Sequence, residues 1–402
     1  MNRIVQNIQP SATLAISAKA KELAAQGVRV CSFAAGEPDF DTPQTIKDAA
    51  VAAIAAGQTK YTAAKGMPAL CKAVADKFAA VNGIVYDPAT EIIVSAGGKQ
   101  SLANVFLALL NRGDEVLVPA PYWLSYPEMI RIARGRPRIV RTTAANGWRV
   151  TPEQLEAAVT PRTAAVVLNY PSNPSGIVYT ADELRALGEV AVRHNLWIVA
   201  DEMYERMLYG GRKFVSIASL SKELRDRTVT INGCSKAYSM TGWRIGYAGG
   251  PAEVVKAMTT VQSHCASNPT TPSQFAALSA LSDPKVEDEI RPMLKAFEER
   301  ADRIYSLLSA IPGVRLERPQ GAFYVFPDIG EFGMDSVTFC TRLLEEKHVA
   351  AVPGKPFGAD SCIRFSYACS MENIDEGMRR FAEFCASLPR KARRARRVRE
   401  AK

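Results

Sequence analysis

Short runs of apolar residues recur seven times between residues 92 and 248, and longer stretches with helical periodicity separate them. Several of these runs lack polar alternation, which is typical of strands buried on both faces of a sheet. The predicted strands span residues 92–96, 115–119, 137–141, 164–169, 196–200, 228–232 and 244–248. Since strands and helices alternate, the pattern predicts an α/β fold with a mostly parallel seven-stranded sheet covered by helices.

Two of the intervening helices are predicted over residues 99–110 and 181–194. Thr180 precedes the second helix, and Glu183 follows three residues later. This spacing is that of a capping box, in which each residue satisfies a free N–H group of the other. It predicts that the helix begins just after residue 180.

The pattern changes near residue 285, where a long, charged, amphipathic stretch (286–311) begins. Shorter strands are predicted near 314–317, 322–326, 349–352 and 362–366, with a helix near 336–346. We therefore predict a large α/β domain (46–285) and a smaller α+β domain (286–389). The N-terminal segment (1–45) is predicted to pack with the small domain, and residues 390–402 to form a basic disordered tail.

The composition is that of a globular protein, with 47% hydrophobic and 23% charged residues in 402. No apolar run of about 18 residues occurs, so no membrane span is expected. The first residues lack the apolar segment and cleavage site of a signal peptide, which predicts a cytoplasmic location. Eight cysteines and three histidines are scattered without Cys-x-x-Cys spacing. This predicts buried free thiols and neither a metal site nor a disulfide framework.

The formal net charge of +9 is concentrated at one end of the sequence. Residues 390–402 carry +7 of it, so the rest of the chain is close to neutral. No aromatic residues interleave with these basic residues, and no nucleic-acid-binding motif accompanies them. We therefore predict no nucleic acid and no membrane as a partner.

Ligands of open parallel sheets bind outside the carboxyl ends of the strands, so the residues after each predicted strand are candidates. Gly97 and Gly98 follow the first strand and open a helix. They would bring backbone N–H groups and the positive end of the helix dipole to an anion, and a plain strand–helix turn is the alternative. Trp123 follows the second strand and is either a stacking partner for a flat ring or a core aromatic residue.

Three polar residues follow the next strands. Asn173 lies in a turn with two prolines and is either a turn former or a ligand donor. Asp201 ends a buried strand, where a carboxylate needs a cation or hydrogen-bond donors, and a helix N-cap is the alternative. Tyr204, three residues later, is placed to reach the same region.

Lys236 and Arg244 follow the sixth strand in the stretch "GCSKAYSMTGWR". A lysine among small residues on a buried scaffold loses solvation, which lowers its pKa and makes it a candidate for Schiff-base formation. Arg244, at the start of the seventh predicted strand, presents donors suited to a dianion. An anion cradle, a flat aromatic side chain, a buried carboxylate, an amine and an arginine together fit pyridoxal 5'-phosphate. We predict this cofactor.

Ten segments of the chain, in order, carry a family resemblance that covers roughly residues 3–388. They are "PSATLAIS", "AAGEPDFDTP", "TKYTAAKG", "GGKQ", "PYWLSYPEM", "PSNPSG", "DEMYE", "SKAYSMTGWRIGY", "GAFYVFP" and "IRFSYA". The sequence resembles the class I aminotransferases of fold type I, and most of all the bacterial aspartate/prephenate aminotransferase subgroup. The resemblance implies that residues 46–285 form the pyridoxal-phosphate-binding domain.

The resemblance also implies a role for each matching residue around the cofactor. The expected cofactor contacts are Tyr61, Gly98, Lys99, Trp123, Asn173, Asp201, Tyr204, Ser235, Lys236 and Arg244. Lys236 is implied as the catalytic residue, which binds the aldehyde covalently and then moves a proton at the substrate Cα. Asp201 would pair with the ring nitrogen. Tyr61 would reach the phosphate site of a neighbouring subunit, which implies a homodimer with shared active sites.

The implied substrate contacts are Thr13, Gly36, Lys99, Trp123, Asn173 and Arg364, and Arg364 would clamp the α-carboxylate in a bidentate pair. The expected activity is transfer of an amino group from an L-amino acid to a 2-oxo acid such as 2-oxoglutarate, with ping-pong kinetics. Aspartate and glutamate are favoured as donors, with Lys99 near the distal carboxylate. The resemblance implies that Ser11 and Thr13 would supply hydroxyl groups there. Gln9 stands where prephenate-using members carry lysine, which argues against prephenate.

Three alternatives remain at this stage. An aromatic or prephenate aminotransferase would use the same scaffold with a different side-chain pocket. A C–S β-lyase would release pyruvate and ammonia without an acceptor. A non-catalytic regulator would need an added DNA-binding domain of ~60 residues or more, for which residues 1–45 leave no room.

Overall fold

The computed structural model describes residues 3–10 and 12–389. The predicted disordered tail, residues 390–402, lies outside these residues, as does Ser11. The strands are β1 (Cys31–Ser32), β2 (Ile92–Ser95), β3 (Glu115–Ala120), β4 (Arg136–Arg141), β5 (Thr163–Asn169), β6 (Trp197–Asp201), β7 (Thr228–Gly233), β8 (Gly246–Gly249), β9 (Tyr324–Val325), β10 (Val349–Ala350), β11 (Val352–Pro353) and β12 (Ile363–Ser366).

Fourteen α-helices lie in the described ranges. They are α1 (Arg3–Gln6), α2 (Ala12–Ala25), α3 (Gln44–Ala55), α4 (Pro68–Lys77), α5 (Gly98–Leu109), α6 (Ser125–Ile132), α7 (Pro152–Ala158), α8 (Ala181–Arg193), α9 (Lys222–Arg225), α10 (Ala252–Cys265), α11 (Thr271–Ser282), α12 (Lys285–Ser309), α13 (Ser336–Lys347) and α14 (Met371–Ser387). None of the helices within the described ranges is long and apolar enough to cross a membrane.

The central sheet has seven strands in the order β2-β8-β7-β6-β5-β3-β4. Six strands run parallel, and β8 runs antiparallel to both of its neighbours, β2 and β7. All seven predicted strands occur, with ends that differ by two residues or fewer. The α/β fold with a mostly parallel seven-stranded sheet is therefore confirmed.

Both faces of this sheet are covered, which is why its strands lack polar alternation. Phe106 of α5 and Met258 of α10 pack on one face, and Leu155 of α7 and Leu187 of α8 on the other. These four side chains are 0–1% exposed. Burying each such side chain contributes roughly 1.5–3 kcal/mol to the free energy of folding. The two helix layers therefore stabilise the sheet.

The predicted capping box of α8 is present. The Thr180 hydroxyl accepts a hydrogen bond from the Glu183 amide at 3.2 Å, and the Thr180 amide donates to the Glu183 carboxylate at 2.7 Å. The two bonds satisfy N–H groups that the helix leaves free at its start. The helix accordingly begins at residue 181, as the sequence predicts.

The seventh predicted strand begins two residues later than expected. Gly246 is the first residue to pair, with Ser95 on one side and Gly233 on the other. Arg244 lies before the strand in the left-handed region, with φ of 57°. The prediction that Arg244 begins the strand is therefore wrong. The chain turns at this residue before it enters the sheet.

Two smaller sheets join the ends of the chain. In one, β1 near the N-terminus pairs in parallel with β10. In the other, β11, β12 and β9 are antiparallel. The Arg380 guanidinium of α14 also donates to the Arg29 carbonyl at 2.9 Å. These contacts tie the N-terminal segment to the C-terminal region, while the predicted domain boundaries themselves remain predictions.

Two short strand predictions in this region need correction. The segment predicted near 349–352 is two strands, because Ala351 separates β10 from β11 and the two pair with different partners. The segment near 314–317 is not a strand. It forms a single bridge between Arg315 and Asp328, since no further residue of this segment continues the ladder.

Candidate active site

A cavity of about 630 Å³ opens at the carboxyl ends of the parallel strands. All but one of the predicted site residues line it, namely Thr13, Gly36, Gly98, Lys99, Trp123, Asn173, Asp201, Tyr204, Ser235, Lys236, Arg244 and Arg364. The exception is Tyr61, which lies outside the cavity with 87% of its surface exposed. The cavity therefore brings the residues from the strand-end argument together with Thr13 and Arg364, which the resemblance implied and which are 351 positions apart.

Lys236 follows β7 and is half-buried in the cavity wall. Its Nζ donates to the Gly36 carbonyl at 2.5 Å. Burial lowers the pKa of Lys236 to about 8, an effect that the charge of Glu37 opposes and that of Arg244 reinforces. At neutral pH a useful fraction of this amine is therefore unprotonated and nucleophilic.

Asp201 ends β6 and is 5% exposed. The Tyr126 hydroxyl donates to its Oδ2 at 2.6 Å, and the Met203 amide donates to Oδ1 at 3.3 Å. Burial raises the pKa of Asp201 to about 6, although both donors and the charge of Lys236 lower it. A cation brought to this carboxylate would replace its lost solvation. Asp201 thus suits a protonated ring nitrogen.

Two tyrosine hydroxyls meet beside this carboxylate. The Tyr204 and Tyr324 oxygens are 2.9 Å apart, and both side chains line the cavity. Burial raises the pKa of Tyr204 well above its ordinary value. Tyr204 therefore stays protonated and can donate to an anionic oxygen of a ligand. Because Tyr324 belongs to the C-terminal region, this contact joins that region to the segment after β6 within the site.

Three glycines create an anion cradle beside Lys236. Gly97 has φ of 83°, and a Cβ on it would collide with the Arg244 guanidinium. A Cβ on Gly246 would collide with the backbone nitrogen of Gly98. The absence of side chains lets the first turn of α5 approach β8, and the first amides of a helix have no partner within it. Together with Ser235, these groups form a site suited to a phosphate.

Lys99 and Trp123 form the opposite wall. The Lys99 Nζ lies 5.0 Å from the centroid of the Trp123 ring, which is a cation–π distance. Burial and, next, the charge of Arg244 lower the pKa of Lys99. The indole packs edge-on against Tyr126, with centroids 5.4 Å apart. An aromatic face and an ammonium group thus stand side by side at the cavity wall.

Arg364 of β12 is 2% exposed. Its guanidinium donates to the Asn173 side-chain oxygen at 3.0 Å and to the Ala34 carbonyl at 3.1 Å, and it lies 4.5 Å from the Tyr324 ring centroid. Its Nε is buried, and no described residue accepts a hydrogen bond from it. A buried guanidinium without a carboxylate partner indicates an anionic ligand.

Sequence reasoning missed several residues that line the cavity. They are Ser17, Lys21, Glu37, Asn169, Met203, Tyr126 and Tyr324. Tyr126 and Glu37 lie inside segments that carry the family resemblance, but nothing in the local sequence places the Tyr126 hydroxyl against Asp201, 75 residues away. Tyr324 lies three residues after the glycine of "GAFYVFP", where its burial was predictable and its partner was not.

The donor set fits pyridoxal 5'-phosphate. The cradle at Gly97 and Gly98 with Arg244 suits the phosphate, and the Lys236 amine suits the aldehyde. Asp201 suits the ring nitrogen. The Arg364 guanidinium has five N–H groups and uses two of them, so its Nε–H and one N–H on each terminal nitrogen remain for a substrate carboxylate. Each polar group of the cofactor therefore has a complementary group within one cavity.

Comparisons with known proteins agree with this chemistry. A profile of the family described as "Aminotransferase class I and II" matches residues 28–381. The aspartate aminotransferase of Geobacillus stearothermophilus is 51% identical over 385 residues, 94% of this chain and 97% of that protein. The aspartate/prephenate aminotransferase of Cereibacter sphaeroides is 48% identical over 392 residues, 95% of this chain and 97% of that one.

A solved structure supports the same assignment. The aspartate aminotransferase from Thermus thermophilus with maleate has a TM-score of 0.92 and 46% identity, and the match covers 95% of this chain and 99% of that one. Family, relatives and fold thus agree over nearly the whole length. The chain belongs to the class I and II aminotransferases, which are enzymes of fold type I that use pyridoxal 5'-phosphate.

Proposed function

We propose that this enzyme transfers the amino group of aspartate or glutamate to 2-oxoglutarate or oxaloacetate. The observation that carries the proposal is the charge of the cavity. Its lining includes five cations, namely Lys21, Lys99, Lys236, Arg244 and Arg364. Its lining carboxylates are Glu37 and Asp201. The excess of positive charge favours a phosphorylated cofactor together with a dicarboxylic substrate.

The proposed division of labour follows from the contacts of each side chain. Pyridoxal phosphate supplies an aldehyde that bonds to an amine and a ring that accepts electrons from the substrate Cα. Lys236 would hold the aldehyde and then carry the proton at Cα. Arg364, fixed by Asn173, would bind the α-carboxylate as a bidentate fork. Arg244 and Ser235 would bind the phosphate, and Tyr204 with Asn173 the phenolic oxygen.

The distal carboxylate is assigned to the wall formed by Lys99 and Thr13. Lys99 has a lowered pKa through burial, so an anion beside it regains favourable electrostatics. Two of the named relatives are aspartate aminotransferases, and the Thermus enzyme was solved with maleate, a dicarboxylate. Gln9 is exposed and does not line the cavity. Gln9 therefore does not discriminate between the donors, and the preference for aspartate and glutamate rests on Lys99 and on these relatives.

The second candidate is an aromatic or prephenate aminotransferase. The Trp123 ring on the cavity wall favours it, because an indole face also stacks on an aromatic side chain. The Cereibacter relative is named for both aspartate and prephenate. A C–S β-lyase has no comparable support, and nothing in the cavity favours β-elimination over amino transfer.

Steady-state rates with aspartate, glutamate, tyrosine and prephenate as donors separate the candidates. We expect kcat/KM for the dicarboxylic donors to exceed that for tyrosine by roughly 10²-fold, because tyrosine has no carboxylate to pair with the Lys99 ammonium group at the distal subsite. Release of pyruvate from cystathionine, without any acceptor, serves as the test for β-lyase activity. Fast tyrosine turnover beside negligible aspartate turnover overturns the assignment.

We further propose a homodimer with shared active sites. Tyr61 is 87% exposed and lies outside the cavity of its own chain, which suits contact with a neighbouring site. Val51 and Ile54, on α3, expose 65% and 55% of their surface and suit burial against a partner. Sedimentation equilibrium should give twice the chain mass of 43.7 kDa, and a mass of one chain contradicts the proposal.

A cytoplasmic location stays a prediction from the N-terminal sequence.

A further inference from the structure

A cluster of charged side chains lies buried behind the cavity wall and has no part in the chemistry described above. Its members, here named the 202/205 network, are Lys77, Asn82, Glu202 and Glu205. They are 8%, 5%, 0% and 5% exposed, and none lines the cavity. Burying three ionisable groups costs stability relative to a well-packed apolar core. The network therefore calls for a functional reason.

The side chains of residues 201–205 point in two directions, some into the cavity and some into the protein interior. Asp201 and Tyr204, three residues apart, line the cavity, whereas Glu202 and Glu205 point into the protein interior. The Glu205 amide donates to the Glu202 carbonyl at 3.0 Å, which closes a single turn. Each cavity residue is thus followed directly by a buried acid. Movement of either acid would move the neighbouring cavity residue with it.

Asn82 joins the two acids. Its Nδ2 donates to Glu202 at 3.1 Å and to Glu205 at 2.7 Å, and its Oδ1 accepts from the Lys77 Nζ at 2.9 Å. Lys77 also forms an ion pair with Glu205. One amide therefore holds both ends of the 202–205 turn, and the lysine fixes the orientation of the amide.

Glu202 is held from its other side as well. The Ser216 hydroxyl donates to its Oε1 at 2.5 Å, and the Tyr170 hydroxyl donates at 3.1 Å. Tyr170 in turn accepts from the Ile217 amide at 3.0 Å. Burial raises the pKa of Glu202, and the nearby charge of Glu205 adds to the effect. Its carboxyl group is thus enclosed by partners from three separate segments.

The backbone that presents Lys77 and Asn82 is unusual. Helix α4 ends at Lys77, and a π-helical turn follows over Phe78–Asn82. Turns of this kind are rare and occur often at functional sites. Here the turn brings together two side chains five residues apart, both aimed at the 202–205 turn. The chain adopts an uncommon backbone at the point where it supports the cavity wall.

We propose that the 202/205 network positions Asp201 and Tyr204 toward the cofactor. The inference rests on the proposed roles of those two residues, which would bind the ring nitrogen and the phenolic oxygen of the cofactor. Its members are positioning residues, because none touches the cavity. A rigid support of this kind matters, since a misplacement of about 1 Å can cost roughly 10²-fold in rate.

The variant Asn82→Leu tests the proposal, because it removes the bridging amide without changing charge and lies far from Asp201 in sequence. We expect kcat to fall roughly tenfold, with the KM for the amino acid changed less than about threefold. The Kd for binding of pyridoxal phosphate to the apo-protein should rise roughly tenfold. The double variant Lys77→Met with Glu205→Gln removes the ion pair without leaving an unpaired charge and should act in the same direction.

Glu115→Gln is the matched control. Glu115 is 6% exposed and is the first residue of β3, at the opposite end of this strand from the cavity, where it accepts hydrogen bonds from Thr160 and Arg162. Glu115→Gln should lower the melting temperature and leave kcat and cofactor affinity unchanged. If both network variants keep wild-type kcat and cofactor affinity, or if Glu115→Gln changes these quantities equally, the inference is wrong. A wild-type enzyme without transaminase activity overturns the proposed function instead.

Discussion

Lys236→Ala is expected to abolish covalent binding of pyridoxal phosphate and to lower transamination turnover by roughly 10⁴-fold. The variant removes the amine that the structure aims into the cavity beside Gly36 and Asp201. It removes two functions at once, since the same nitrogen would bond to the aldehyde and then transfer the proton at Cα. Absorbance of the yellow holoenzyme and steady-state kinetics with aspartate measure both losses.

A Lys236→Ala variant that failed to fold would also lose colour and turnover. Substitution of a second lysine therefore serves as the control. Lys19 lies on α2, forms an exposed ion pair with Glu22 at 3.0 Å and does not line the cavity. Lys19→Ala should keep both the colour and the turnover of the wild type. A Lys236→Ala enzyme that retains wild-type turnover would show that another residue carries the chemistry.

Asp201→Asn is expected to lower kcat/KM by roughly 10²–10³-fold while it stabilises the apo-protein. The amide keeps the shape of the side chain and removes the negative charge that would hold the ring nitrogen protonated. Burial raises the pKa of Asp201 from its ordinary value of 3.8 to about 6. The folded protein therefore binds this proton more tightly than the unfolded chain does. Stability is lost as the pH rises between these two values.

The size of this effect follows from the pKa. A rise from 3.8 to about 6 corresponds to ~3 kcal/mol, an upper limit on what Asp201→Asn regains above pH 7. Urea denaturation of the apo-protein at pH 8 should show a higher free energy of unfolding for the variant, with little difference at pH 4. Asp226→Asn is the opposite control, because Lys222 lowers the pKa of this exposed acid. Equal destabilisation by both substitutions at pH 8 would contradict the account.

Much of the fold could be predicted from the sequence because its sheet is buried on both faces. Continuous apolar runs such as 164–169 have few alternative structures, and the carboxyl ends of parallel strands necessarily share one edge. Asp201 and Lys236 could therefore be placed together, because they follow the strands predicted over 196–200 and 228–232. The cofactor followed from the residue types at these strand ends.

Other features depend on tertiary contacts that no local pattern encodes. Arg244 lies in the left-handed region, and Gly246, two residues later, is the first residue to pair with Ser95. Ala351 divides an apolar run because the chain there passes from one small sheet to another. Both outcomes depend on partners far away in sequence. Local periodicity could not place the strand ends.

The 202/205 network could not be predicted from the sequence either. Lys77 and Glu205 are 128 positions apart, and charged residues are usually expected at the surface. In "DEMYE", only Asp201 and Tyr204 were assigned, since the direction of Glu202 depends on the turn after β6. The buried bond between Tyr126 and Asp201 has the same origin. Such pairs become evident only once the packing is known.

The central claim is that Lys236 binds the cofactor covalently in this cavity. Reduction of the holoenzyme with borohydride would make that bond permanent, and mass spectrometry of the digested protein would then locate it. We predict one cofactor per chain, on the peptide that contains Lys236. Attachment at Lys99 or Lys21, the other lysines of the cavity, with Lys236 unmodified would contradict the account.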